Sequence, residues 1–119
     1  MTPYTSIEWQ DGVLILLDQR LLPQQVIYIE YRDYREVAAA IREMVIRGAP
    51  AIGAAAAYGM ALAAVHSRAS SIMGIKAELR SAAEILKAAR PTAVNLFWAI
   101  DRIMGVVENS TVSSPEKLA

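Results

Sequence analysis

Two arginines stand just ahead of proline-initiated helix starts, in Arg47-Gly48-Ala49-Pro50 and in Arg90-Pro91. Residues of these types at this spacing suit the binding of an anion. A helix N-terminus offers free N–H groups and a partial positive charge. Gly48 permits close approach of the backbone to a ligand. A guanidinium beside such an end adds a bidentate fork that matches phosphate. The competing reading is that Arg47 and Arg90 cap the carbonyls of preceding helices, with Gly48-Ala49-Pro50 as a simple turn. The residues alone leave both readings open.

Other chemistries find little support. No GxGxxG, Walker or HExxH pattern occurs in the 119 residues. Cysteine is absent, which removes disulfides, thiolate metal sites and cysteine nucleophiles from this chain. The single histidine, His66, falls in a loop and reads as a plain surface residue, so a metal site is not expected. Twelve basic residues balance twelve acidic ones, leaving no surplus to attract nucleic acid or an anionic membrane. The uncharged run Gly48 to Val65 falls short of the roughly 20 residues of a bilayer span. The first residues lack the form of a secretory signal, so a cytoplasmic location is expected. Trp9 and Trp98 read as core or sheet-cover residues.

The elements that must position the two arginines follow from patterning. Ile7-Glu8-Trp9 and Val13 to Leu17 flank Gln10-Asp11-Gly12, a hairpin signal because Asp and Gly tolerate positive φ. Arg20 to Gln25 reads as a second turn and Val26 to Glu30 as a third strand. Asp33-Tyr34-Arg35-Glu36 has the form of a capping box. The apolar stripe behind it, Val37, Ile41, Met44 and Val45, predicts a helix ending near Arg47-Gly48. A second helix opens at Pro50, and Ala51 to Val65 carries no charge, which predicts a central helix buried on every side. Its Gly53 and Gly59 suggest close contact with another helix or with a ligand. Ile75, Leu79, Ala82, Ala83 and Leu86 mark a third helix, ended by Arg90-Pro91. Leu96, Ile100, Ile103, Met104 and Val107 mark a fourth, from about Thr92 to Glu108.

The predicted fold is therefore α+β: a three-stranded antiparallel meander over 1–31, then a bundle of about four helices over 32–108. Ser114-Pro115-Glu116 reads as one more helix start, and only a few residues follow it. On that ground 109–119 is expected to be the start of a truncated linker or helix, and the chain the N-terminal domain of a longer protein.

Four ordered segments carry a family resemblance. Met44-Val45-Ile46-Arg47-Gly48-Ala49-Pro50-Ala51-Ile52-Gly53, with the alanine run to Gly59, resembles the signature of the methylthioribose-1-phosphate isomerase family. Leu17-Asp18-Gln19-Arg20-Leu21-Leu22-Pro23, Asp33-Tyr34-Arg35-Glu36-Val37 and Ala89-Arg90-Pro91-Thr92-Ala93-Val94-Asn95-Leu96 are similar to it in order and spacing. The resemblance implies an enzyme of methionine salvage. It converts the aldose 5-methylthioribose 1-phosphate to the ketose 5-methylthioribulose 1-phosphate without metal or organic cofactor. It implies a larger Rossmann-like C-terminal domain as partner of this one, a homo-oligomer, and a small-molecule sugar phosphate as ligand. The family's substrate-binding positions fall on Arg47, Gly48, Ala49 and Arg90. Its catalytic Cys and Asp belong to the C-terminal domain, so no catalytic residue is expected here, and Asp18, Asp33 and Asp101 are not candidates. Ribose-bisphosphate isomerases and the regulatory subunits of the initiation-factor exchange complex are related to this family and remain alternatives, as does a helical module without a ligand.

Overall fold

A computed structural model describes residues 7–46 and 48–108. Three strands come first: β1 Ile7–Gln10, β2 Val13–Leu17 and β3 Tyr28–Tyr31. They form an antiparallel sheet in chain order, with Trp9 opposite Leu14 and Leu14 opposite Tyr31. At the β1–β2 turn Asp11 and Gly12 both adopt positive φ, +48° and +80°. That backbone matches the twist of a tight hairpin. The register aligns Ile7, Trp9, Leu14, Leu16, Ile29 and Tyr31 on the face that joins the core. The other face presents Glu8, Ile15 and Glu30 side by side.

The third strand begins at Tyr28, two residues later than the apolar run suggests. Val26 and Ile27 are exposed, because β2 ends at Leu17 and Asp18 turns the chain into a 3-10 turn at Gln19–Leu21. Only the Asp18 N–H to Ile27 carbonyl bond extends the pairing.

Helix α1 spans Tyr34–Arg42, and its capping box is formed as expected from Asp33 and Glu36. It stops well short of Arg47. Glu43 is the C-cap and Met44 takes a left-handed φ of +65°. The Val45 N–H then reaches the Ala40 carbonyl and the Met44 N–H reaches Ile41. This is a Schellman termination with methionine where glycine is usual. Met44 is exposed, whereas Val45 and Ile46 are buried beyond the helix end.

Helix α2, Ala49–Val65, is central: it packs against α1, α3, α4 and the sheet. It is not buried on every side. Ala54, Ala57, Tyr58 and Ala61 are half-buried and Val65 is exposed. At Gly59 a Cβ would lie 3.1 Å from Leu86 and 3.3 Å from Val37, so three helices converge on its missing side chain. Helix α3, Ile72–Ala89, starts at the Ser71 cap and buries the whole predicted stripe. Helix α4, Val94–Glu108, buries Leu96, Ile100 and Val107, with Ile103 and Met104 packed against the same core.

Trp9 covers the sheet and stacks on Tyr58 with ring centroids 5.6 Å apart. Trp98 is not a core or sheet-cover residue. It is 63% exposed, because its position on α4 faces away from the side carrying Leu96 and Ile100. His66, at the surface, caps the end of α2 and places its Nε2 2.8 Å from the Gly12 carbonyl. The expected helix start at Ser114 lies outside the described residues.

Candidate functional site

The starts of α2 and α4 lie side by side. Gly53 sets their separation: a Cβ there would lie 3.3 Å from the Asn95 carbonyl oxygen. Between the two starts is a cavity of about 340 Å³, lined by Gly48, Ala49 and Ile52 on one side and by Arg90, Thr92, Ala93 and Asn95 on the other. Three of the four residues singled out by sequence, Gly48, Ala49 and Arg90, therefore share one small space. The fourth, Arg47, lies outside the described residues.

Each residue reaches this space for a local reason. Gly48 is the N-cap of α2 with φ +92°, a conformation that L side chains rarely adopt. Nothing lies within 4 Å of where its Cβ would be, so the glycine serves the backbone angle and leaves open space in front of the helix. Among the described residues no side chain caps α2, and Pro50 occupies its first turn. The remaining N–H groups of that turn have no intrahelical carbonyl to bond.

Arg90 is the C-cap of α3, kept out of the helical region by Pro91. Its carbonyl accepts from the Ala93 N–H at 2.9 Å, closing the turn into α4. Arg90 is half-buried, and its guanidinium has no carboxylate or carbonyl partner among the described residues. The carbonyl-capping role considered for Arg90 is thus not seen there.

The stem of the loop leading to Gly48 is anchored by two residues that the site reading overlooked. Asp18 is 2% exposed and accepts from Arg20 three times, at its backbone N (3.1 Å), Nε (2.9 Å) and Nη2 (2.7 Å). The Arg20 guanidinium holds the Asp18 carboxyl below the usual carboxylate range, against the opposing effect of burial. Arg20 also lies 3.6 Å from Glu43, and the Gln19 N–H bonds the Val45 carbonyl at 2.9 Å. These contacts fix residues 43–46 against the end of β2. The sequence signal was the Leu17-to-Pro23 segment, which gave a resemblance without a role.

Further concavities occur among the described residues. An apolar groove of about 660 Å³ runs between α2 and α4 past Ala54, Ala57 and Trp98. A cleft of about 410 Å³ is lined by Arg32, Arg35, His66 and Arg68. There Arg32 and Arg35 already pair with Glu30 and Asp33. Among the described residues no group of three His, Asp or Glu side chains is placed to hold a metal ion, and no helix is long and apolar enough to cross a membrane.

A small α+β domain with a cavity between two helix starts is the arrangement that comparison with known proteins must match. Residues 45–119 match the model of the Initiation factor 2 subunit family, and the chain belongs to that family. Within it the relatives are specific. The chain is 57% identical, over 97 residues, to methylthioribose-1-phosphate isomerase of Syntrophotalea carbinolica, covering 82% of this chain and 28% of the relative. It is 50% identical, over 109 residues, to the same enzyme of a Synechococcus species, covering 92% of this chain and 31% of the relative. The structure of 5-methylthioribose 1-phosphate isomerase from Pyrococcus horikoshii superposes with a TM-score of 0.90 at 42% identity, covering 95% of this chain and 32% of that one. A structure described as translation initiation factor eIF-2B subunit delta from A. fulgidus gives a TM-score of 0.87 at 43% identity, covering 95% and 32%. The resemblance read from the four motifs is thus borne out. The chain spans about three-tenths of the length of the curated relatives it matches.

Proposed function

We propose that this chain is the substrate-binding N-terminal domain of an isomerase that converts 5-methylthioribose 1-phosphate to 5-methylthioribulose 1-phosphate. The observation that carries the reading is the meeting of Gly48, Ala49 and an Arg90 without a carboxylate partner among the described residues in one cavity at two adjacent helix starts. Phosphate is the ligand such a place suits: the starts of two helices border it, each carrying a partial positive charge, and Arg90 supplies the fork. In this reading Arg47, the residue before Gly48 in the sequence, is the second phosphate-binding arginine. The phosphate on the anomeric oxygen blocks simple ring opening, so the reaction needs a general acid. The chain has no cysteine, and in this reading the catalytic pair belongs to a second, larger domain. The role of the domain described here is to grip the phosphate and orient the sugar.

The test is a titration of the ¹⁵N-labelled chain with 5-methylthioribose 1-phosphate. Amide shifts should concentrate at Gly48, Ala49 and Ala93 to Asn95, with no isomerisation above background. A charge-assisted hydrogen bond contributes about 1.5–3 kcal/mol, so Arg90→Ala or Arg47→Ala should raise Kd about tenfold or more. Unchanged affinity in both variants would remove the site.

A non-catalytic regulatory subunit is the second reading, favoured by the near-equal match to the initiation-factor structure. It predicts an empty cavity in the same titration.

A further inference from the structure

We propose that the apolar groove along α4 receives the methylthio end of the substrate, and that Trp98 is the residue that selects for it. This rests on the reading of the cavity as the phosphate site. The groove and that cavity adjoin, sharing Val94 and Asn95 in their linings. One ligand lying across that junction would meet two different environments. At the cavity it meets helix ends and Arg90. In the groove it meets a floor of Gly53, Ala54 and Ala57 from α2 and a wall of Val94, Trp98 and Ile103 from α4.

The spacing suits a five-carbon sugar. Val94 and Trp98 are one turn apart, a rise of about 6 Å along α4. A phosphate held at the start of α4 thus leaves the far end of a pentose over the indole. Val94 is 77% exposed and Trp98 63%, which is a large apolar surface for two residues with no part in the core. Thioether sulfur packs favourably at aromatic ring edges. The Arg102 guanidinium lies 5.3 Å from the Trp98 ring centroid, covering one ring face and steadying the side chain. A sugar hydroxyl in place of the methylthio group would meet mostly carbon in this lining. Arg102 is the one charged residue among the described residues that line the groove, so a second phosphate is the rival occupant.

The experiment uses Trp98 as its own reporter. Trp9→Phe leaves it the sole tryptophan, and phenylalanine keeps an aromatic ring on Tyr58. This protein is titrated by fluorescence with 5-methylthioribose 1-phosphate, ribose 1-phosphate and ribose 1,5-bisphosphate. The methylthio sugar should bind about tenfold tighter than ribose 1-phosphate, the lower end of what one apolar group adds in a pocket. In calorimetry Trp98→Ala should abolish that difference while leaving the affinity for ribose 1-phosphate unchanged. Circular dichroism should show the fold intact, since Trp98 fills no core position. Equal affinities before the substitution, equal weakening of both monophosphates by it, or tighter binding of the bisphosphate would each overturn the assignment. In those cases binding that still depends on Arg90 leaves the phosphate site standing. Binding of none of the three sugars would remove the phosphate site as well.

Discussion

Asp18→Asn is the perturbation that most directly tests how the site is held. The carboxylate is buried and accepts three hydrogen bonds from Arg20, two of them from the guanidinium. Asparagine keeps one oxygen for the backbone N–H but turns its amide toward a donor and loses the charge. Breaking a buried ion pair costs several kcal/mol when the remaining charge is stranded. Here the Arg20 side chain is 41% exposed and rehydrates. The loss is therefore that of the charge-assisted bonds at Asp18, about 2 kcal/mol. Urea unfolding followed by circular dichroism should show it as a lower midpoint with unchanged slope. The effect has a pH signature. The folded-state pKa of Asp18 is depressed, so its contribution is present above the unfolded carboxylate value of about 3.9 and fades as pH falls through the folded value. The parent and the variant should converge in acid. A loss below about 0.5 kcal/mol at neutral pH, the range of an ordinary surface change, would refute this account of the loop's anchorage.

Gly53→Val should cost about 1–3 kcal/mol, because even a methyl group at this position meets the Asn95 backbone and a branched side chain must push the start of α4 away. Urea unfolding measures the loss, and phosphate-dependent amide shifts at Gly48 should weaken with it; unaltered stability would show that the helix starts are not so closely set. Met73 and Val106, 83% and 70% exposed at the end of the bundle where Arg80 clasps Glu108, present apolar surface that favours self-association. Light scattering should report a mass above that of the monomer, and a clean monomer at high concentration would rule this out.

The parts legible in sequence were those with a local cause. Asp11-Gly12 dictates its own turn, Asp33 and Glu36 their own cap, and the α3 stripe its buried side. The juxtaposition of Arg90 with Gly48 was suggested by two similar helix starts and by the family resemblance. What brings them together is non-local: Gly53 against Asn95, which no spacing reveals. The parts misjudged also had non-local causes. Met44 continues the apolar period of α1, yet the chain leaves the helix there because Val45 and Ile46 find burial beyond it and Val45 is held by Gln19. Trp98 suggested a core residue by type alone, whereas the core side of α4 was already filled by Leu96 and Ile100. Asp18 and Arg20 read as turn residues because the partner that gives them a task, the 43–46 segment, is distant in sequence.

The 17 residues of α2 form a strut about 25 Å long between two attachments. Its first turn borders the cavity, and the imidazole just past its last turn is fastened to the hairpin bend at Gly12. Tilting the near end would drag the far end off that fastening and prise Gly59 from Leu86 and Val37. The recess beside Gly48 is accordingly built in advance, so under the proposed reading an anion would enter a space whose walls are already set.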